Sequence, residues 1–405
     1  MRKFSLSSIL LLCLAILVVD ILAFYWLQSI TQLVDKPLFT KIINIAFWTF
    51  TIGLISSIVI LKLKLDAIAP LLKQQLISTF YGLAISSFIP KLIFVIIITI
   101  LYASNYVFSA SESVIIVPIV GLLSGVLPFL VIAYGIFRTV YRFKVHHVTI
   151  SSQKVPPNFH NFKIVQISDL HLGSFMYRFK ILKRAVKLIN DLEPDLIVFT
   201  GDLVNNYAWE LRGWQRVFRN LSATSGKFAI LGNHDYGDYS QWKSPEDKKA
   251  NLVAIKQFYE DIGFQLLLNS TDYVSKNNDE IAIIGVENWG KPPFKQYGDL
   301  NKAMKNMRSV PFKILLSHDP SHWPEEVIQD TDIDLTLSGH THGMQAGIQF
   351  KTRQWSPIKY KYEHWAGLYK KGEQYLYVNR GLGWLGFPGR LGMRPEITKL
   401  HLQRI

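Results

Sequence analysis

Two side chains that can bind a metal ion or move a proton, Asp169 and His171, stand one leucine apart in Lys163-Ile-Val-Gln-Ile-Ser-Asp-Leu-His-Leu172. The short apolar run Ile164–Ile167 just before them reads as a buried strand. A carboxylate and an imidazole in this position can converge just past a strand's C-terminal end, where open α/β sheets hold their ligands. Taken alone, the pair is no more than a capping Asp and an incidental His. Four further apolar segments end in the same way, however. Leu196–Thr200 runs into Gly201-Asp202, and Lys227–Leu231 into Gly232-Asn233-His234-Asp235. Lys313–Ser317 runs into His318-Asp319, and Leu335–Ser338 into Gly339-His340-Thr341-His342.

Each residue has an ordinary role available to it. Asp202 after a glycine makes a helix N-cap, Asn233 holds a turn, and His318 alone reads as a satisfied buried histidine. Separate roles of this kind do not account for the same pattern at five strand ends. Gly201, Gly232 and Gly339 precede the polar residues, and glycine permits a sharp turn or a close backbone approach. The donors are oxygen and imidazole without sulfur. The single cysteine, Cys13, lies in an apolar run far away, so no disulfide forms within the chain. Such a donor set suits Mn, Fe, Zn or Ni and does not choose among them. The candidates Asp169, His171, Asp202, Asn233, His318, His340 and His342 are too many for one ion with open positions. They match two ions sharing one carboxylate.

The elements that must position these residues can be read from the same stretch. Phe179, Leu182, Val186 and Ile189 recur at helical spacing, and the helix should end near Glu193-Pro194. A Trp-rich helical stretch with Trp209 and Trp214 follows, and then a helix from about 244 to 262. A first strand is expected over 146–152. Further strands are expected near 265–268, 281–285, 347–350, 375–378 and 397–402. Alternating strands and helices with a strand-rich last third predict an α/β fold with α+β character. Two mixed sheets pack as a sandwich with helices outside.

Before this globular part, residues 1–143 are mostly apolar. Runs at 6–27, 42–61, 77–102 and 114–137 each approach the ~20 residues that cross a bilayer as helix. The first is too long for a secretory signal and lacks a small-residue cleavage site. The expected organisation is an all-α four-helix transmembrane region over 1–143, then a globular domain over 144–405. Arg2, Lys3, Lys62, Lys64, Lys73, Arg138, Arg142 and Lys144 lie on one side of such a bundle. Lys36 and Lys41 are the basic residues on the other, which puts both ends in the cytoplasm. Asp20 and Lys91 inside the runs are unusual. Lys91 lines a polar cavity or its run starts later, and for both residues snorkelling or a satisfying partner is an equal alternative.

From residue 163 to about 345, the order Asp-x-His, Gly-Asp, Gly-Asn-His-Asp, His, Gly-His-x-His resembles the calcineurin-like metallophosphoesterases. It is most similar to their bacterial membrane-associated branch, which includes phosphodiesterases and hydrolases of the pyrophosphate in acylated UDP-glucosamine. Where that branch often has Gly-Gly-Gln after the final His, this chain has Gly343-Met344-Gln345. The resemblance implies a four-layer sandwich and two divalent ions (Mn, Fe or Zn, with Mn expected). Asp169, His171, Asp202 and His342 would hold one ion. Asp202, Asn233, His318 and His340 would hold the other. His234 would be the catalytic histidine beside the leaving oxygen. Some relatives carry an Asp three residues past the Gly-Asp aspartate to support that His. Asn205 stands there here, which leaves Asp235 or no carboxylate at all.

The formal net charge of +14 suits an anionic substrate or membrane surface, and no blocky basic tail calls for a nucleic acid polymer. The expected reaction is cleavage of a phosphodiester or pyrophosphate by a metal-activated hydroxide, and a lipid-linked nucleotide is one expected substrate. A tethered phosphodiesterase for soluble nucleotides is a second reading, and a metal-binding membrane scaffold without turnover a third. The glycine-rich basic segment 379–394 could bring Arg380, Arg390 or Arg394 to a phosphate. Trp209, Trp214, Trp242 and Trp384 are expected in the core or at a lipid interface. The expected location is a multi-pass protein of the bacterial inner membrane, with its catalytic domain cytoplasmic.

Overall fold

The computed structural model describes residues 5–34, 36–65, 67–108, 113–292, 294–350 and 353–405. The chain divides into two compact units. One is Arg138–Leu385 with Arg390–Ile405. The other is the helical stretch up to Phe137 with Gly386–Gly389. The division falls a few residues before the expected one.

The helical unit contains α1 (Leu6–Thr31), α2 (Pro37–Lys64), α3 (Pro70–Phe108) and α4 (Ser113–Phe137). All four are long and apolar enough to cross a membrane. α1, α2 and α3 are longer than their apolar runs because more polar turns continue the helix at the ends, while α4 matches its run to within one residue. Arg2 and Lys3, part of the orientation argument, lie outside the described residues. α3 continues through Pro90, so the third run is one helix rather than a late start. The two unusual residues are each other's partners. Lys91 Nζ lies 2.8 Å from Asp20 Oδ1, and Thr51 Oγ1 donates to Asp20 Oδ2 at 2.5 Å. Lys91 also sits 4.5 Å from the centre of the Phe47 ring. One polar knot therefore joins α1, α2 and α3. Apolar packing alone does not fix helix register well, and a buried polar contact does.

The globular unit holds fourteen strands among the described residues. The first sheet contains β1 (Lys144–Ser151), β2 (Phe162–Ile167), β3 (Leu196–Phe199), β4 (Lys227–Ala229) and β5 (Gln265–Leu266), with β14 (Glu396–Gln403) inserted to give the order β1-β14-β2-β3-β4-β5. The second contains β6 (Ser270–Lys276), β7 (Asp279–Gly285), β8 (Lys313–Leu316), β9 (Leu335–Ser338), β12 (Gly367–Lys371) and β13 (Gln374–Val378), in the order β12-β13-β9-β8-β7-β6. β10 (Ile348–Phe350) and β11 (Arg353–Trp355) form a separate hairpin. Both large sheets are mixed. β2, β3, β4 and β5 run parallel, as do β7, β8, β9 and β13, while β14 meets β2, β6 meets β7 and β12 meets β13 antiparallel.

The side-chain period of two in a strand divides the core. Ile164, Leu196 and Val198 face Ile283, Ile314, Leu316, Leu335 and Leu337 across the space between the sheets. Val165, Ile167, Ile197 and Phe199 point the other way, toward α5 (Phe179–Asn190) and α6 (Pro245–Asp261). Ile284, Leu315, Leu376 and Val378 pack against Leu300 and Trp323 on the far side. The result is the expected order of helix, sheet, sheet, helix. α5 buries Leu182, Ala185, Val186 and Ile189, the stripe its spacing predicts. α6 starts on Ser244, whose hydroxyl accepts from the Asp247 N–H, with Pro245 in its first turn. The Trp-rich stretch differs from expectation. It forms two short turns, Ala208–Leu211 and Gln215–Phe218, with Trp214 buried between them and α5.

The polar knot makes a prediction. Asp20→Ala leaves the Lys91 ammonium without its carboxylate and should cost about 3–5 kcal/mol. The paired change Asp20→Leu with Lys91→Met should recover most of that loss. Melting temperatures of the detergent-purified protein read both.

Candidate metal centre

Every residue expected at the site stands just past a strand's C-terminal end. Asp169 and His171 follow β2, Asp202 follows β3, and Asn233 and His234 follow β4. His318 follows β8, and His340 and His342 follow β9. The parallel strands of both sheets therefore deliver their polar ends to one place. Two donor sets form there. In the first, His171 Nε2 is 3.0 Å from His342 Nε2 and 3.5 Å from Asp202 Oδ2, while His342 Nε2 is 3.3 Å from Asp169 Oδ1. In the second, His318 Nε2 is 3.3 Å from Asp202 Oδ2 and 3.2 Å from Asn233 Oδ1, and His340 Nδ1 is 2.8 Å from Asn233 Oδ1. Asp202 Oδ2 belongs to both sets. Its other oxygen accepts the His234 N–H at 2.8 Å.

The backbone is strained where these residues sit. Asp169, His171, Asp202, His340 and His342 all have positive φ, between 46° and 72°. Five such residues in a cluster mark a functional centre, since the fold must hold each in a sparsely populated region. The glycines are there for closeness. A methyl on Gly339 would lie 2.0 Å from Ser168 Oγ and 2.4 Å from Asp169 Oδ2, and one on Gly201 would lie 2.5 Å from the Gly232 nitrogen.

His234 leans on a backbone carbonyl rather than a carboxylate. Its Nδ1 lies 2.7 Å from the Asn205 carbonyl oxygen, which makes Nδ1 the donor and leaves Nε2 for chemistry. Asp235 therefore does not support it, contrary to one expectation. Asp235 instead accepts the N–H groups of Gly232, Asp202, Leu203 and Val204. Glu210, fully buried, accepts those of Gly173, Asn205, Asn206 and Tyr207. Burial pushes Glu210 up to about 7 even against these four donors. Two buried carboxyls thus shape the loop that carries Asp202 and presents the Asn205 carbonyl. Neither role was visible in the sequence, where a lone Glu between Trp209 and Leu211 carries no signal.

Two tyrosines were also missed. The Tyr362 hydroxyl lies 2.8 Å from His340 Nε2, and Asn233 Nδ2 donates to the Tyr239 hydroxyl at 2.9 Å. With Phe294 edge-on to His340, they wall the side on which His234 and His340 are half-exposed.

The three arginines differ from expectation. Arg380 is buried against Glu396, and its Nη2 donates to Gln354 Oε1 at 2.5 Å. Arg390 is fully buried and donates to the carbonyls of Arg380, Gly381 and Gly383, bracing the loop behind Asp169. Arg394 donates to the carbonyls of Arg142 and Phe143 at 2.9 Å each. Their forks are taken up by the protein itself, because the segment turns back to close the sheet through β14.

The chain matches a family model described as calcineurin-like phosphoesterase over residues 162–344. Over residues 2–140 it matches one described as probable calcineurin-like phosphoesterase, transmembrane domain. It is 34% identical over 266 residues to the uncharacterized metallophosphoesterase YkuE of Bacillus subtilis, covering 63% of this chain and 84% of that one. The chain belongs to the calcineurin-like phosphoesterases. It is also 30% identical to a transmembrane protein with metallophosphoesterase domain of Danio rerio, over 67% of this chain and 60% of that one. Identity to the phosphodiesterase YaeI of Escherichia coli is 29%, over 60% of this chain and 82% of that one. As a member of this family the chain is a metal-dependent phosphoesterase. Its transmembrane match and four apolar helices make it a multi-pass integral membrane protein.

The donor sets fit the divalent ions that this family uses. Ligand atoms about 2.0–2.2 Å from an ion stand roughly 3.0–3.5 Å from one another, and apart from the 2.8 Å His340–Asn233 pair the separations given for both sets fall in that range. Burial lowers His171 to about 3 and His340 to about 4, so both are neutral with lone pairs to give. Burial works to raise Asp202, but the charge of His318 leads the groups that outweigh it and hold this carboxyl well below its ordinary value, whereas Asp169 lacks such compensation. Burial, aided by Asp202, raises Asp169 to about 7. His318 is raised to about 10 because Asp202 outweighs its burial. Such a centre calls for positive charge.

Two predictions follow from this geometry. Gly339→Ala should displace the Asp169 carboxylate and weaken metal binding by about 10–100-fold, the range seen when a ligand loses its support. Metal titration reads that loss, and far-UV circular dichroism should be unchanged. The Glu396–Arg380 pair makes the second. Burial works to raise Glu396, but Arg380 leads the groups that hold it at about 2, against an ordinary 4.5. Its contribution to stability is therefore complete above about pH 4.5 and is lost as pH falls through about 2. Glu396→Gln should cost about 3–5 kcal/mol at neutral pH, with the penalty shrinking in acid. Urea unfolding at several pH values measures both.

Proposed function

We propose that this chain is a dinuclear metal phosphohydrolase that cleaves a phosphodiester or a pyrophosphate at a membrane surface. The observation that carries the reading is the meeting of two donor sets at one oxygen, Asp202 Oδ2. Asp169, His171 and His342 complete one set, and Asn233, His318 and His340 the other. When bound, two divalent ions, with manganese the first choice, supply Lewis-acid polarisation of the phosphoryl oxygens and a water activated for in-line attack.

The protein's own groups do the rest. Asp202 keeps the two sets in register while its second oxygen fixes the His234 backbone. His234 Nε2 is free to protonate the leaving oxygen, since Nδ1 is committed to the Asn205 carbonyl. Burial lowers the His234 pKa, so the ring is neutral at rest, and a bound phosphate anion draws a proton to it. No serine or cysteine nucleophile is needed. The phosphodiesterase name of the Escherichia coli relative supports a diester substrate.

Charge supports a reading of the location. Lys62, Lys64, Lys73, Arg138, Arg142 and Lys144 on one side of the bundle favour a cytoplasmic catalytic domain in a bacterial inner membrane. An enzyme held there by four helices gains most from a substrate that is itself in the bilayer, such as a lipid-linked nucleotide.

Hydrolysis of bis-p-nitrophenyl phosphate by the manganese-loaded full-length protein tests the reading. Asp202→Ala should lose both metal and turnover. His234→Ala should keep its metal. Its rate should fall by about 10²–10⁴-fold on esters with poor alkoxide leaving groups, and far less on nitrophenyl esters, whose leaving groups need no proton. Equal losses on both would remove the acid role. No turnover on nitrophenyl esters or on lipid-linked pyrophosphates would favour a scaffold.

A further inference from the structure

The β10–β11 hairpin is built the wrong way round for a surface ribbon. Its register pairs Ile348 with Trp355, Gln349 with Gln354, and Phe350 with Arg353. Directly opposed residues share a face and alternate along each strand. One face therefore carries Ile348, Phe350, Trp355 and Arg353, and the other carries Gln349 and Gln354. On the polar face Gln354 points to the body of the domain, while Gln349 is exposed and reaches back only to a surface lysine. Gln354 Nε2 donates to the Ala366 carbonyl at 2.7 Å while its Oε1 accepts from Arg380, and Gln349 Oε1 accepts from Lys144 Nζ at 3.3 Å. The apolar face points outward, with Ile348 67%, Phe350 68% and Trp355 42% exposed. By contrast, Trp214, Trp289, Trp323, Trp365 and Trp384 of the same domain are buried.

Lys144 says what lies against that face. The fourth candidate span ends at Tyr141, and Lys144 follows three residues later. Three residues reach at most about 11 Å. The segment between is held firmly to the catalytic domain, because Arg394 binds the carbonyls of Arg142 and Phe143 and β1 pairs with β14 from Lys144 onward. The hairpin is thus tied to the start of β1, a few residues along the chain from the fourth candidate span. An exposed Ile-Phe-Trp face with an arginine, beside a basic exit segment, has the chemistry of the zone where acyl chains meet headgroups.

We propose that the Ile348–Phe350–Trp355 face of this hairpin docks in the interfacial zone of the bilayer, with Arg353 on anionic headgroups. β10 begins six residues after His342. Docking there holds the loop that carries His340 and His342 close to the lipid surface.

The test uses the full-length protein in nanodiscs containing anionic lipid, with Cys13→Ser removing the native thiol. An environment-sensitive fluorophore is attached at Ile348→Cys or, as a comparison, at Val253→Cys on α6, which is likewise exposed. Melting temperatures equal to that of the parent certify both folds. The expected result is that lipids spin-labelled near the headgroup quench the Ile348 probe several-fold more than the Val253 probe. Aqueous iodide should do the reverse. Equal iodide quenching of both probes, with no lipid quenching at Ile348, overturns the proposal. So does an Ile348 probe shielded from iodide and lipid alike but transferring energy between labelled copies, which would assign the face to a second copy of the chain.

Discussion

The catalytic unit depends on one carboxylate. Asp202 is buried, sits on left-handed backbone, and presents one oxygen to the His234 N–H and the other to the imidazoles of His171 and His318. Burying that charge is unfavourable unless it is paired and hydrogen-bonded. The surrounding structure supplies both: Asp235 and Glu210 collect the loose N–H groups on either side of it, and the histidines face it directly. The glycines at 201, 232 and 339 then let the strand ends approach without a clash. The two sheets pack so that strands from each reach this point, and the site exists only where both sheets are present.

Much of this was legible in the sequence because strand ends and ligands are local. A run such as Leu335–Ser338 followed by Gly-His-Thr-His states both the strand and what it delivers. The seven donors and their division into two sets came from such runs and from a family resemblance, and the structure brings those seven together. Contacts made over long distances were not legible. Nothing near Asn205 in sequence says that its carbonyl will meet His234, because that contact depends on the loop Glu210 shapes. Arg380, Arg390 and Arg394 looked like phosphate forks because they sit in a glycine-rich loop. Their actual partners, Glu396 and a series of backbone carbonyls, are set by how that loop folds back. The hairpin was half seen: Gly347–Phe350 reads as a strand, but its partner strand is only three residues long.

In the helical unit the sequence flagged Asp20 and Lys91 separately, on helices far apart in the chain. Their pairing is a tertiary fact. It turns two costly residues into one interaction that fixes three helices, with Thr51 holding the second carboxylate oxygen. This resembles the use of a single polar residue to set register in coiled coils, where specificity is gained at some loss of stability. The catalytic unit uses its polar groups for chemistry, and the helical unit uses them for alignment.

The left-handed backbone at five of the donor positions also limits what can replace them. Asp, Asn and His accept that conformation more readily than most residues, and branched side chains accept it poorly. The ligand types compatible with the backbone are therefore nearly the same as those found there. Thiolates, the donors that would draw the centre toward softer metals, would have to enter through the two positions with ordinary backbone, Asn233 and His318. The fold thus guards the identity of its metal through its main chain as well as through its side chains.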